Sequence, residues 1–105
     1  YAAAQYLEDW RLKVERIGNL NYPEAAKGRL YGNLLLYVEI KADGSLERVE
    51  VQRSSGHKIL DEAAMRIVRM AAPYGSFSAE LKRQTDIVAF ARTWVFARGD
   101  QLRSE

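Results

Sequence analysis

Few residues in the chain are placed to do chemistry. His57, the sole histidine, follows Ser54 and Ser55, and that pairing suggests nucleophilic catalysis. No acid is spaced to orient the imidazole, however, and no G-x-S-x-G elbow surrounds either serine. Asp61 and Glu62 are adjacent, so on a helix they point about 100° apart and cannot face each other as an acid–base pair. First-turn acids favoured by a helix dipole explain them better, and Asp43 suits a turn. Gly28-x-x-x-Gly32 is too sparse for a phosphate loop and precedes a strand pattern where such a loop precedes a helix. A KH-type RNA module would need a GXXG clamp, and the chain has none. Tyr37 and Phe90 lack the glycine and basic context of base-stacking aromatics and read as packing residues. With no cysteine and one histidine, neither a thiolate zinc site nor a His-rich metal site can form. The residues therefore predict no enzyme, no metal, no cofactor and no nucleic-acid partner.

What remains must lie in the elements and the surface they present. The chain has 105 residues, 48% of them apolar and 29% charged, with a net charge of +2. Those figures fit one globular domain and exclude wholesale disorder. No apolar run reaches the roughly 18 to 20 residues of a membrane helix, and no signal-peptide pattern opens the chain. It begins with Tyr1, which suggests a domain cut from a longer protein.

From about Ala3 to Ile17, Tyr6, Leu7, Trp10, Val14 and Ile17 recur at helical spacing, and Gly18-Asn19 supplies a stop signal. Pro23 suits the first turn of a short helix that Gly28 ends. Residues 32–53 predict a β-hairpin: Leu34, Leu36, Val38 and Ile40 alternate with polar or outward residues, and Asp43-Gly44 marks the turn. Leu46, Val49 and Val51 slip once in phase, which a bulge near Glu47-Arg48 would repair. A second helix runs to about Ala72 with Leu60, Ala63, Ala64, Ile67, Val68 and Ala71 in one stripe. A polar loop, about Pro73 to Arg83, leads to a long strand from Thr85 to Arg98, whose face of Val88, Phe90, Trp94 and Phe96 is expected inward with Arg92. The order predicts an α+β two-layer sandwich, a three-stranded antiparallel sheet with two main helices on one face. Its parts are a leading amphipathic helix over 1–19, the main domain over 20–98 and a frayed polar tail over 99–105. The last strand lacks proline and has an edge guarded only lightly by Arg92 and Arg98, open to an added strand.

Several motifs together resemble the C-terminal domain of TonB-type energy transducers. They are Tyr22-Pro23, Ala26, Gly32, the alternating Leu34/Leu36/Val38/Ile40, Asp43-Gly44-x-Leu46-x-x-Val49-x-Val51, Ser54-Ser55-Gly56 and Leu60-Asp61-x-Ala63-Ala64. The resemblance covers about residues 20–72 closely and the last strand more loosely. It implies a periplasmic domain of an inner-membrane-anchored protein, driven through ExbB and ExbD by proton motive force. Its implied partner is the TonB box of outer-membrane transporters for siderophores, haem or cobalamin, added as a strand beside Ile87–Phe96. The implied contacts are Ile87, Ala89, Ala91, Arg92, Thr93, Trp94, Val95 and Phe96, with Asn19, Leu20, Asn21 and Tyr22 meeting the receptor plug. The chain departs from the best-known members: Asn19 and Asn21 stand near positions that carry glutamine there, and the leading helix is longer. A TolA-like envelope-spanning module is the alternative reading, and a strand-paired homodimer is a further one.

Overall fold

The structure, a computed structural model, describes residues 2–105. Helix α1 (Ala2–Leu20) is followed by a single 3-10 turn at Glu24–Ala26, strands β1 (Gly32–Lys41) and β2 (Leu46–Arg53), and helix α2 (Lys58–Ala71). A short helix α3 (Ala79–Gln84), strand β3 (Ile87–Ala97) and strand β4 (Gln101–Ser104) complete the chain. The sheet is antiparallel in the order β2-β1-β3-β4. The two-layer α+β architecture matches the expectation, but the sheet has four strands, not three. The tail expected to fray turns back on Gly99 and Asp100, both at positive φ, and pairs with β3.

The core is built as the spacing predicts. Leu34, Leu36, Val38 and Ile40 of β1 are buried beneath Leu60, Ala63, Ala64, Ile67, Val68 and Ala71 of α2. The bulge falls at Glu47, where the register jumps from Glu39–Arg48 to Ile40–Leu46. Leu46, Val49 and Val51 therefore all pack against the core. A second shift at Gln52 lies between Leu35–Arg53 and Leu36–Val51 and leaves no trace in the hydrophobic pattern. The aromatic face of β3 points inward: Val88, Phe90, Trp94 and Phe96 are buried. Trp10 of α1 meets Phe90 and Trp94 edge-on at ring separations of 4.7 and 6.3 Å. Such pairs add about 0.5–1.5 kcal/mol each to the area they bury.

Gly18 does not stop α1. The helix runs through it to Leu20, and Gly18 is buried because a Cβ there would stand 2.2 Å from Cδ2 of Leu102. The residue is needed for close approach of β4, not for a left-handed turn. The segment read as a polar loop contains α3, whose cap is the Ser78 hydroxyl accepting from Leu81 N–H at 3.1 Å.

The pair Asp61 and Ser55 anchors α2. The Asp61 carboxylate accepts from the hydroxyls of Ser54 and Ser55 and from Ser55 N–H, the last at 2.9 Å. Burial alone would raise the Asp61 pKa, but these hydrogen bonds prevail and hold it below the ordinary value. Stability from Asp61 is therefore full above its unfolded pKa of about 3.9 and is lost as pH falls through the lower folded value. Asp61→Asn should destabilise by about 1–2 kcal/mol at neutral pH and flatten the acid limb of stability. Urea melts from pH 2 to 7 test this, and an unchanged acid limb refutes it.

Candidate functional site: the outer edge of β3

Strand β3 is paired along one side with β1 through ten registered residues, Gly32–Phe96 to Lys41–Ile87. Its other side decides what the molecule can do. Thr93 and Glu105 exchange both main-chain hydrogen bonds, at 2.9 and 2.7 Å. Hydrogen-bonded positions alternate along an antiparallel strand. The outward-pointing main-chain groups of β3 therefore belong to Ile87, Ala89, Ala91, Thr93, Val95 and Ala97, while the intervening residues bond β1.

These six positions fall into three zones. At Ile87 the Thr85 hydroxyl closes the edge, accepting from Ile87 N–H at 3.3 Å and donating to its C=O at 2.7 Å. Thr93, Val95 and Ala97 face β4, with Val95 opposite Arg103 and Ala97 opposite Gln101. Between them lie Ala89 and Ala91, both exposed. Their outward groups find no partner among the described residues beyond a 3.5 Å approach of Arg92 Nη1 to Ala91 C=O. Small side chains leave the edge unobstructed. The tip of this open stretch carries Arg92, half-buried on the helix side with its guanidinium 5.8 Å from the Phe90 ring centroid. Nearby on α1, Arg11 holds Glu8 and Glu15 at 2.5 and 3.0 Å. Its hydrogen bond lowers the Glu8 pKa against slight desolvation, and the charges of Arg11 and Arg92 lower it further.

The edge of β4 is closed in turn by α1. The Asn19 side-chain amide donates to Leu102 C=O at 3.1 Å and accepts from Leu102 N–H at 2.9 Å. Glu15 accepts from Ser104 N–H at 2.8 Å. Leu102 and Ser104 are the β4 residues whose main chain faces away from β3, so helix side chains occupy the sheet margin here.

The expected contact residues are therefore separated by the fold. Ile87, Ala89, Ala91 and Arg92 lie on or beside the accessible stretch. Thr93 and Val95 offer their outward groups to β4, and the side chains of Trp94 and Phe96 are core, not surface. Asn19 is bound within the chain to Leu102. Leu20 is 77% exposed on α1. Asn21 donates to Ile17 C=O at 2.8 Å. Tyr22 is buried edge-on against Phe96, 5.6 Å between centroids, so its ring is no surface contact. Glu15, Gly18, Thr85, Leu102 and Ser104 were not legible as site residues. The nearest signal was Gly99-Asp100 directly after a long strand, which is turn chemistry.

No competing chemistry is assembled elsewhere among the described residues. A cleft of about 170 Å³ beside α1 is lined by Tyr6, Asp9, Trp10, Lys13 and Tyr74. Its polar groups are tied locally: Lys13 Nζ donates to Pro73 C=O at 3.1 Å and Tyr6 to Gly75 C=O at 2.8 Å. Burial pushes the Tyr6 phenol up to about 12. His57 heads α2, and among the described residues no acid hydrogen-bonds its ring, while Asp61 serves the two serines.

Fold and edge together define a two-layer α+β domain that presents a stretch of unpaired strand at Ala89–Ala91 beside a covering helix, with β2 as the edge strand at the opposite margin of the sheet. A family model for the C-terminal domain of the Gram-negative bacterial TonB protein matches residues 18–96, and the chain belongs to that family. No match is found among curated proteins or among solved structures. The matched span begins at Gly18 and ends at Phe96, so it excludes most of α1 and all of β4.

Proposed function

We propose that the chain is a periplasmic receptor-binding domain that docks an extended segment of an outer-membrane transporter, the TonB box, as an added strand along β3. The observation that carries this reading is the pair of unpartnered, exposed main-chain positions at Ala89 and Ala91, flanked by alanine side chains. Strand addition draws affinity from main-chain hydrogen bonds and needs an accessible edge more than particular side chains. Membership of the TonB C-terminal family supplies the class of partner. In the parent protein the domain would be anchored at the inner membrane and coupled to proton motive force through ExbB and ExbD. The role is one of binding, with no catalytic step.

Titration of isotope-labelled chain with a TonB-box peptide tests it. The amides of Ile87 to Ala91 should shift first. A response confined to distant loops, such as that around Gly56, would refute docking at this edge. The same edge is open to a second copy, so sedimentation at increasing concentration belongs with the titration. Peptide binding by a monomer is the expected result.

A further inference from the structure

At the margin of the sheet opposite β4, strand β2 has a free side. Even-numbered residues of β1 bond β3, as Leu36 opposite Arg92 and Val38 opposite Phe90 do, so Tyr37 and Glu39 turn their main chain to β2. They meet Glu50 and Arg48 there, which leaves the N–H and C=O groups of Val49 and Val51 pointing outward. Among the described residues nothing donates to or accepts from these groups. The bulge at Glu47 and the shift at Gln52 bound this straight stretch on both sides.

An apolar ledge runs above the same edge. Asp61 of α2 reaches Ser55, just beyond β2, through both its N–H and its hydroxyl, so this side of the helix overhangs the β2 margin. Met65 and Val68 continue that side at steps of four and three residues, with Ala72 at its end. Val68 is buried, while Met65 and Ala72 are half-buried, as are Val49 and Val51 on the strand. Charged side chains commonly guard an edge strand against pairing. Here they are set in opposite signs about Glu50: Glu47 and Arg53 lie three residues to either side, and Arg48 bridges Glu50 at 2.6 Å.

We propose that β2 pairs with β2 of a second copy, antiparallel and about a two-fold axis at Glu50. That register sets each Val49 opposite the second copy's Val51, and every open main-chain group finds a partner. Each Glu47 faces the second copy's Arg53, and the ledges of the two α2 helices meet over one continuous sheet. The one unfavourable contact is Glu50 against its counterpart, and an Arg48 from each chain stands beside it. It is this self-complementary pattern of charge that selects a second copy as the occupant, since an unrelated strand would satisfy the main chain alone. So small a contact belongs to the weak, transient class. The chain is therefore a monomer in dilute solution and pairs when concentrated or when two copies are tethered side by side. Strand β3 stays free, so this pairing is independent of peptide docking there.

The chain has no cysteine, so a single introduced thiol reports the register. Glu50→Cys places two thiols on the axis, at a non-hydrogen-bonded pair whose Cα atoms lie about 4.5 Å apart, within reach of a disulfide. Oxidised with diamide at about 1 mM, this variant should become mostly crosslinked dimer. Arg48→Cys, which the register sets opposite Gln52, should not crosslink. Sedimentation of the wild-type chain should show monomer at about 10 μM and dimer at about 1 mM. Val49→Pro removes an outward N–H and no bond to β1, so it should stay monomeric throughout. Should thermal melts find that variant unfolded, the two cysteine variants still decide. Glu50→Gln, which relieves the facing like charges, should dimerise at least about threefold more tightly. Equal crosslinking of Glu50→Cys and Arg48→Cys overturns the register. A wild-type chain that remains monomeric at the higher concentration overturns the pairing, whatever a peptide does at β3. Crosslinking of Ala91→Cys in place of Glu50→Cys assigns self-association to β3 and overturns the role of β2.

Discussion

Ala91→Pro should keep the fold and lose at least about tenfold in affinity for a docking peptide, or 1.4 kcal/mol. The N–H of Ala91 points away from β1, so its removal costs no bond of the ladder that builds the sheet. Proline also restricts the preceding residue to extended backbone, which Phe90 already has within β3. In the docked state the same N–H must donate to the incoming strand, and the proline ring stands where that strand's carbonyl would lie. Phe90→Pro is the informative contrast, because the Phe90 main chain faces β1 and its loss should unfold the protein. Calorimetric titration with peptide, paired with thermal melts of both variants, reads the two effects separately. Unchanged affinity for a folded Ala91→Pro chain would sink the assignment of the edge.

A large effect on stability is also expected from a single methyl group at Gly44, in the turn between β1 and β2. Gly44 has φ of +90°, and a Cβ there would lie 2.0 Å from the carbonyl oxygen of Tyr74 and 2.8 Å from its carbon. The neighbour is main chain and cannot rotate aside. It is also held in place, since Tyr74 N–H donates to Gly44 C=O at 2.7 Å and Phe77 N–H to Ala42 C=O at 2.9 Å. Gly44→Ala should therefore combine left-handed strain with a forced separation and cost about 3 kcal/mol. Gly56 has φ of +88° with nothing within 4 Å of its Cβ position, so Gly56→Ala isolates the strain alone, about 1 kcal/mol. Urea denaturation gives both numbers, and equal losses would show that the contact with Tyr74 is unimportant. Because the Gly44 turn steadies the chain on its way from α2 to β3, the damaged variant should also bind peptide less well.

The parts of the fold that could be read from sequence are those with several apolar residues in register. Six inward positions on α2 and four on β1 define their faces without ambiguity, and the phase slip at Leu46–Val49 marked the Glu47 bulge. The inward aromatic face of β3 was readable because four large side chains share it. Strand β4 offers only Leu102 and Ser104 on its buried side, too few to establish a period of two. The role of Gly18 was hidden for a different reason: a glycine near a helix end has the same one-letter appearance whether it stops the helix or lets another element approach. Asn19 was singled out as a contact for a partner, yet the group it touches is main chain 83 residues away, and no local pattern announces such a bond. The site was thus legible as a strand with an edge, and its division into open and covered zones was not.

The separation in sequence of the pairs in the sheet bears on how the molecule folds. Strands β1 and β3 join residues 46 positions apart at Lys41–Ile87 and 64 apart at Gly32–Phe96, so their pairing waits on closure of a long loop. Strands β3 and β4 are separated by a turn of three residues, Arg98, Gly99 and Asp100, and hairpins of this kind form in about 1–10 μs. The β3–β4 hairpin is therefore expected to form before β3 finds its place in the sheet. During that interval β4 shields half of an aromatic-rich strand that would otherwise be free to pair with a neighbouring chain. A φ-value near one for Leu102→Ala, against lower values for Leu36→Ala and Val38→Ala, would establish this order. The same four residues would then act twice, first as a guard against aggregation while the chain folds and later as the cover over the C-terminal half of β3.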